Sequence, residues 1–288
     1  MTDNEHHTKL LGLVTVYCSE PQETAANILR YIQDVDTLII WDNSPLENKL
    51  QEQILARLDT YRTKVIWKGD GKNYCIAPAI NYCWHYAQEN HYDLLFLMDQ
   101  DSQWEDFHSY KTDVVSLYHT SPNFVFCPYV IGDDTFTINE DVQKKRIFIN
   151  SGTIIPTAIL NHIGGADLAF PLDALDHDLA IRIQKAGYNI VSLTRHKLHH
   201  TVGDPQFIGS FLITDNYGPN RIYSISKCHI IKYRKHKDWL TFSEKKKTFK
   251  EHYLLKFIRI ILAEPQKVLR LKMFFKGIYD GITYKIKN

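Results

Sequence analysis

The feature that most constrains the fold is an alternation of short apolar runs with amphipathic stretches through the first third of the chain. The runs KLLGLVTVYC, DTLIIWDNS, KVIWKG and DLLFLMD have the length and content of buried strands. Between them, ETAANILRYIQ, LENKLQEQILARLDTY and APAINYCWHYAQEN have the composition of helices. Strands that alternate with helices predict an α/β domain with a mostly parallel central sheet flanked by helices.

The rest of the chain is less regular until its last quarter. SLYHTSPNFVFCPYVIGDD and KKRIFINSGTIIP are interpreted as strands with turns, and TAILNHIGG as a short helix closed by its glycines. DALDHDLAIRIQKAGYNIVSL predicts a helix that stops at Gly187 and a strand that starts at Tyr188. We therefore expect a domain of residues 1–220, followed by a basic helical C-terminal segment of residues 221–288.

The net charge of +1 hides a division of charge along the chain. Residues 1–220 hold 16 Lys and Arg against 28 Asp and Glu, a net charge of −12, whereas residues 221–288 hold 18 against 5, a net charge of +13. A basic segment with interleaved Tyr, Phe, Leu and Ile suits an anionic membrane surface or packing against the acidic body. Nucleic acid is the least favoured of the three, and we expect no nucleic-acid partner.

Composition is typical of a soluble globular protein. The chain has 288 residues, 44% of them hydrophobic, which is enough to bury a sizeable core. Its five cysteines form no C-x-x-C pair, so neither a disulfide framework nor a zinc site is expected. The N-terminus MTDNEHHTKL lacks the pattern of a secretory signal, and no run approaches the ~20 apolar residues that span a bilayer. We expect a cytoplasmic location, peripheral on the inner face of the membrane if the basic segment binds lipid.

Polar side chains lie where several of the predicted strands end. Asp99 and Asp101 follow the run LLFLM, and Asp42 follows LIIW. Two carboxylates one residue apart can hold Mg²⁺ or Mn²⁺, or can simply close the strand in a polar turn. Ligands of open parallel sheets bind at the carboxyl ends of strands. We therefore expect these acids to line one crevice with Thr15 and Tyr17 at the end of the first strand.

A second acidic group, Asp173, Asp176 and Asp178, lies at the start of a predicted helix. Acids at this position are favoured by the helix dipole and by N-capping, and alternatively one of them serves as a general base for a hydroxyl. His199 and His200 follow the strand NIVSL. A pair of this kind is either a structural feature or a further metal or phosphate contact, with His200 preferred.

The run FLMDQDS is similar to a Leu/Ile-x-x-Asp-Gln-Asp-Ser motif of bacterial rhamnosyltransferases, which are family-2 inverting glycosyltransferases with the Rossmann-like GT-A fold. Other segments resemble this family in the same order and at similar spacing: LVTVY, WDNS, GKNYCIAPAIN, INSGTIIP, HIGG, LDALDHDLAIRIQKAGYNI, GPNRIYSISKCHIIKYRK and FFKGIYDGITYK. The resemblance covers almost the whole chain. It implies the GT-A fold and transfer of a sugar from a nucleotide donor.

The resemblance also implies roles for individual residues. The nucleotide-sugar site would comprise Thr15, Tyr17, Asp42, Asn73, Asp99, Gln100, Asn150 and Ser151. A divalent cation, Mn²⁺ or Mg²⁺, would be held mainly by Asp101, with Asp99 facing the ribose or the outer shell of the metal and His200 as a further ligand. Asp176 occupies the position of the catalytic base, and Asp178 is the fallback.

The implied activity is a metal-dependent inverting glycosyl transfer. The expected donor is dTDP-L-rhamnose, and the expected acceptor is a bacterial surface polysaccharide or a lipid-linked glycan. Residues 1 to about 102 would bind the nucleotide sugar, and residues 103–220 the acceptor. The alternatives are transfer of galactose, galactofuranose or glucose from a UDP donor, and a non-catalytic nucleotide-sugar-binding protein with this fold.

Overall fold

A computed structural model describes residues 7–132, 138–200, 206–208 and 212–286. The chain has two compact units, which we call the first and second unit. The first comprises Met1–Leu168 and Arg182–Thr201, and the second comprises Ala169–Ile181 and Val202–Asn288. The predicted boundary near residue 102, between donor-binding and acceptor-binding halves, and the predicted start of the C-terminal segment after residue 220 stay predictions.

The first unit holds a central sheet and its flanking helices. Its strands are β1 (Leu10–Val16), β2 (Thr37–Asp42), β3 (Val65–Lys68), β4 (Leu94–Asp99), β5 (Ser102–Trp104), β6 (Phe124–Val130), β7 (Val142–Lys145), β8 (Ile154–Pro156) and β9 (Asn189–His200). Its helices are α1 (Pro21–Leu29), α2 (Leu50–Arg57), α3 (Ala77–Glu89), α4 (Phe107–Thr120) and α5 (Thr157–Ile163), together with the end of α6 (Leu175–Lys185).

The sheet has the order β3-β2-β1-β4-β8-β6-β9-β5, with β7 beside β9. β3, β2, β1 and β4 are parallel, and β6 and β9 form a second parallel pair. β8 is antiparallel to both β4 and β6 and joins these halves. This confirms the predicted α/β class with a mostly parallel sheet.

The topological switch point lies between β1 and β4. The chain moves outward from β1 to β2 and β3, and then returns to the other side of β1 as β4. Ligands of open α/β sheets bind at such a point, outside the carboxyl ends of the strands. The fold therefore favours a site where Thr15 and Asp99 end their strands.

A buried core supports this end of the sheet. β1 is buried along its whole length and β4 up to Asp99, because helices cover both faces of a parallel sheet. An aromatic cluster packs behind them, comprising Tyr31, Phe96, Trp104, Phe107 and Tyr110. Trp104 is 1% exposed, and its Nε1 donates a hydrogen bond to Met98 Sδ at 3.4 Å. This packing fixes the short strand β5 and thereby the polar turn between β4 and β5.

The interpretation of SLYHT as strand was wrong, because these residues end helix α4. Asp106 caps this helix by accepting a hydrogen bond from the backbone N–H of Ser109 at 3.0 Å. Tyr110 and Val114, one turn apart, are buried, so packing of one helix face outweighs the strand preference of aromatic and β-branched residues. Asp133 and Asp134 of the same stretch lie outside the described residues.

The second unit contains the basic helices predicted for the C-terminal segment. They are α7 (Pro219–Lys235), α8 (Phe242–Phe249), α9 (Lys256–Leu262) and α10 (Lys267–Thr283), with a π-helical turn over Lys250–Leu255 and the hairpin β10 (Gln206–Ile208) and β11 (Leu212–Thr214). α7 and α10 approach closely at Gly277, where a Cβ atom would lie 2.5 Å from the carbonyl oxygen of Tyr223. Among the described residues, no helix is both long and apolar enough to cross a bilayer.

Candidate functional site

The carboxyl ends of β1, β2 and β4 lie side by side. Thr15 of β1 is level with Asp99 of β4, and Val16 is level with Asp42 of β2. The Thr15 hydroxyl donates a hydrogen bond to Asp99 Oδ1 at 3.4 Å. Tyr17, immediately after β1, is 52% exposed. The structure thus brings together the strand ends that we expected to share one crevice.

Asp99, Asp101 and His200 form a cluster whose ligand atoms lie within 4.8 Å of one another. Antiparallel pairing of β5 with β9 places His200 opposite Ser102, and His200 Nδ1 lies 3.8 Å from Asp101 Oδ1. Two carboxylates and an imidazole are ligands that suit Mn²⁺, and the carboxylates also suit Mg²⁺. The donor set therefore fits the divalent cation that the sequence implies.

Two buried serines connect the parts of this cluster. Ser151 Oγ donates to Ser102 Oγ at 2.7 Å, and Ser102 Oγ shares a hydrogen bond of 2.8 Å with His200 Nδ1. The backbone N–H of Asp99 donates to Ser151 Oγ at 3.3 Å. Both serines are completely buried, so these hydroxyls fix the orientation of the imidazole. Ser102 was not among the predicted site residues.

Gln100, between the two acids, binds the backbone at the end of the first strand. Its Oε1 accepts a hydrogen bond from the N–H of Tyr17 at 2.6 Å, and its Nε2 donates to the carbonyl of Tyr17 at 3.2 Å. Its own carbonyl oxygen accepts from Asn27 Nδ2 at 2.9 Å. The carboxamide therefore extends the pairing of β1 with β4 by one side-chain bridge. This bridge holds Tyr17 next to the acidic cluster.

Substitution of Gln100 by Glu is expected to break half of this bridge. A carboxylate cannot donate to the Tyr17 carbonyl, and it adds a negative charge between Asp99 and Asp101. We expect the free energy of unfolding, measured in urea, to fall by about 1–2 kcal/mol. Gln103→Glu adds the same charge on β5 and should cost less than about 0.5 kcal/mol. Equal losses in both variants would contradict the bridge.

At the end of β2, side chains hold two turns together. Asp42 Oδ1 accepts from the backbone N–H two residues later at 2.8 Å, and Asn73 Oδ1 accepts from the N–H of Cys75 at 2.9 Å. Asn43, which follows Asp42 at this strand end, is 5% exposed and joins the two segments. Its Oδ1 accepts from the N–H of Tyr74 at 2.9 Å, and its Nδ2 donates to the carbonyl of Cys75 at 3.2 Å.

Asn150 and His199 are not members of the cluster formed by Asp99, Asp101 and His200. Asn150 Oδ1 is buried without a hydrogen-bond partner among the described residues. His199 Nε2 shares a hydrogen bond of 3.0 Å with Glu105 Oε1, and adjacent residues of a strand point to opposite faces. Of the two histidines, only His200 therefore lies in the cluster with the acids.

In the second unit, Asp178 near the start of α6 is a buried ion-pair partner. It is completely buried, and its Oδ1 accepts hydrogen bonds of 2.8 Å from Lys235 Nζ and from His236 Nε2. Removing one member of a buried pair costs about 3–5 kcal/mol, because the remaining charge stays uncompensated. These contacts indicate a structural role for Asp178.

Asp173 and Asp176 have different surroundings from each other. Asp173 Oδ1 accepts a hydrogen bond from Arg221 Nε at 2.8 Å. Burial raises the pKa of Asp173, although the Arg221 guanidinium opposes this shift. Asp176 is half-buried, and its Oδ1 accepts from the backbone N–H of His177 at 2.8 Å. Of the three acids, Asp176 is the one that is neither buried nor hydrogen-bonded at 2.8 Å to a cation among the described residues.

The second unit also contains two stacked histidines, the buried His229 and the half-buried His252, with ring centroids 3.6 Å apart. Burial, reinforced by the charge of Lys232, lowers the pKa of His229 well below its usual value and lowers the pKa of His252 to about 3. Burial also lowers the pKa of Lys232 itself to about 8. Both imidazoles are therefore neutral in the folded protein at pH 7.

We expect acid to destabilise the protein through these rings. In the unfolded chain both histidines take up protons near pH 6.5, whereas the folded protein keeps them neutral, so the unfolded chain binds more protons below that pH. The free energy of unfolding should fall by up to about 1.4 kcal/mol per pH unit for each histidine between pH 6 and 4. Urea unfolding at several pH values should show a shallower slope for His252→Phe than for the exposed control His85→Phe. An identical slope would contradict this account.

No protein-family model and no curated protein matches the sequence. Solved structures do match the fold. GalNAc-T7 with UDP, GalNAc and Mn²⁺ matches with a TM-score of 0.56 and 10% identity, over 85% of this chain and 55% of that one. The mannosyltransferase PcManGT from Pyrobaculum calidifontis in complex with GDP-Man and Mn²⁺ matches with a TM-score of 0.62 and 12% identity, over 98% and 77%.

A third match is S. aureus TarS 1-349 in complex with UDP-GlcNAc, with a TM-score of 0.54 and 14% identity, over 95% of this chain and 80% of that one. The chain thus spans about half of the length of GalNAc-T7 and about four fifths of that of TarS 1-349. At these identities the matches establish the fold alone. The chain has the GT-A fold of these glycosyltransferases, as the resemblance of its motifs to family-2 glycosyltransferases implies.

Proposed function

We propose that the protein is a divalent-cation-dependent inverting glycosyltransferase that takes its sugar from a nucleotide donor. The observation that carries this proposal is the cluster of Asp99, Asp101 and His200 at the switch point of a GT-A sheet. Two of the matching structures contain Mn²⁺ together with UDP or with GDP-Man, which supports the same ligand class here.

In this proposal the strand ends of the first unit hold the donor. Asp101 and His200 hold the cation, and Asp99 faces the ribose or the outer shell of the metal. The remaining donor contacts come from Thr15, Tyr17, Asp42, Asn73, Gln100, Asn150 and Ser151. A bound cation supplies Lewis-acid stabilisation of the diphosphate leaving group. The buried Ser102–Ser151 pair keeps His200 oriented for this purpose.

We assign Asp176 as the general base that takes the proton from the acceptor hydroxyl as its oxygen attacks the anomeric carbon. Its half-buried carboxylate accepts a hydrogen bond from the backbone N–H of His177, and its oxygens can accept further hydrogen bonds, including one from a hydroxyl. Asp178 is the weaker candidate, because Lys235 and His236 already bind the same oxygen of its buried carboxylate.

For the donor we propose dTDP-L-rhamnose, and for the acceptor a bacterial surface polysaccharide or a lipid-linked glycan. This choice rests on the resemblance of FLMDQDS to the rhamnosyltransferase motif. Thermal unfolding with Mn²⁺ and a panel of dTDP-rhamnose, UDP-galactose, UDP-galactofuranose and UDP-glucose tests it. We expect the largest rise in melting temperature with dTDP-rhamnose, and no rise when EDTA replaces Mn²⁺. A larger rise with a UDP-sugar would replace the proposed donor.

We further propose that residues 221–288 attract the protein to the inner face of the cytoplasmic membrane. Their net charge is +13, and anionic headgroups attract Lys and Arg by about 1 kcal/mol each near the surface. Co-sedimentation with anionic liposomes at low salt should be strong, and it should weaken as salt screens the charges. Failure to sediment at low salt would refute the membrane proposal but not the transfer activity.

A further inference from the structure

The second unit contains a groove of about 790 Å³, a size typical of sites for small organic ligands. Its lining includes side chains of α7, α8, α10 and the π-helical turn. Four apolar lining residues are about half exposed or more: Phe249, Leu254, Phe275 and Ile282. Apolar side chains that stay exposed along a concave surface indicate a binding site rather than a fold core.

The charged side chains that line this groove are both cations, Arg234 and Lys245. Arg234 NH1 donates hydrogen bonds of 2.8 Å to the carbonyls of Gly281 and Tyr284, which places the guanidinium beside the end of α10. Lys245 Nζ lies 5.9 Å from the centre of the Tyr233 ring. The groove therefore combines an apolar lining with positive charge, and none of the described residues that line it is an acid.

The polarity of the lining also indicates which class of ligand fits the groove. A peptide would bring backbone N–H and C=O groups, each of which needs a partner when buried. Most of the lining is aromatic or aliphatic and offers few such partners, whereas a hydrocarbon chain needs none. The π-helical turn adds Tyr253 and Leu254 to the lining, and π-helical turns of this kind are frequent at functional sites.

We infer that this groove binds the hydrocarbon chain of a lipid phosphate, with the anionic head next to Arg234 and Lys245. A groove that binds a hydrocarbon chain is more specific than the attraction of a basic surface to a membrane, because the groove has a defined shape and lining. It does not depend on which sugar the enzyme transfers, or on transfer itself.

The test is a calorimetric titration of the whole 288-residue chain with tetradecyl phosphate below its critical micelle concentration. The double variant Leu254→Gln/Phe275→Gln removes two exposed apolar contacts in the groove. Leu262→Gln, at a leucine of similar exposure outside the lining, is the matched control. We expect the double variant to weaken binding by about 10- to 100-fold, and the control by less than about twofold.

Further measurements test whether the groove prefers an anionic head group and whether a lipid, rather than a second copy of the chain, occupies it. Tetradecyltrimethylammonium should bind at least about tenfold more weakly than tetradecyl phosphate, because its head carries the opposite charge. Inorganic phosphate alone should not compete, since the chain provides most of the affinity. Equal binding of the two amphiphiles, or equal losses in the double variant and the control, would overturn the inference. So would a dimer in sedimentation velocity that the double variant abolishes, because a second copy would then cover the groove.

Discussion

Asp176→Asn is expected to reduce the rate of glycosyl transfer by about 10²–10⁴-fold while donor affinity stays within about twofold. The amide keeps the shape of the side chain but cannot accept a proton from the acceptor hydroxyl. The measurement is kcat and KM for transfer, with donor binding followed separately by calorimetry. A fall of kcat and kcat/KM by the same factor is expected, since the proton moves only in the transition state.

Two controls make this result specific to Asp176. Asp238→Asn removes an exposed carboxylate of the second unit and should leave transfer unchanged. Asp178→Asn should instead lower the free energy of unfolding by about 3–5 kcal/mol, because Lys235 and His236 lose their buried partner. If Asp176→Asn transfers at the normal rate and a folded Asp178→Asn does not, the base has been misassigned between the two acids.

Asp101→Asn is expected to remove the dependence of donor binding on Mn²⁺ and to lower transfer by about 10²–10⁴-fold, which corresponds to several kcal/mol of lost charge stabilisation. A neutral amide is a poor ligand for a divalent cation, so the cluster keeps one carboxylate and one imidazole. Calorimetric titration with Mn²⁺ in the absence of donor checks the metal site by itself.

The matched control for Asp101 is Asp59→Asn, which removes an exposed carboxylate outside the cluster. It should bind Mn²⁺ and donor as the unchanged protein does. If Asp101→Asn binds Mn²⁺ with unchanged affinity, the cluster is not the metal site, whatever happens to transfer.

The sequence predicts the parallel half of the sheet well because local patterns determine it. Short apolar runs separated by helical stretches form the strands β1, β2, β3 and β4. A helix between successive strands favours their parallel pairing, with helices on both faces of the sheet. The polar residues at their carboxyl ends then meet at one edge, as Thr15 and Asp99 do. The antiparallel insertion of β8 beside β4 could not be predicted, because it depends on contacts far apart in the chain.

The candidate site is predictable only in part for the same reason. Asp99 and Asp101 stand out in the sequence, whereas His200 reaches them through pairing of β9 with β5, two strands about 100 residues apart. The roles of Gln100 and Asn43 are also nonlocal, since both side chains bind backbone groups of distant segments. A polar side chain at a strand end can close its own turn or bridge to another, and sequence alone does not distinguish the two.

The most direct test of the central claim is release of the nucleoside diphosphate from dTDP-L-rhamnose by the purified protein, measured with and without Mn²⁺. We expect slow release in the presence of Mn²⁺, no release in EDTA, and no release by Asp101→Asn under either condition. Release that proceeds equally in EDTA, or equally with Asp101→Asn, would contradict the claim that Asp101 and His200 hold the cation on which sugar transfer depends.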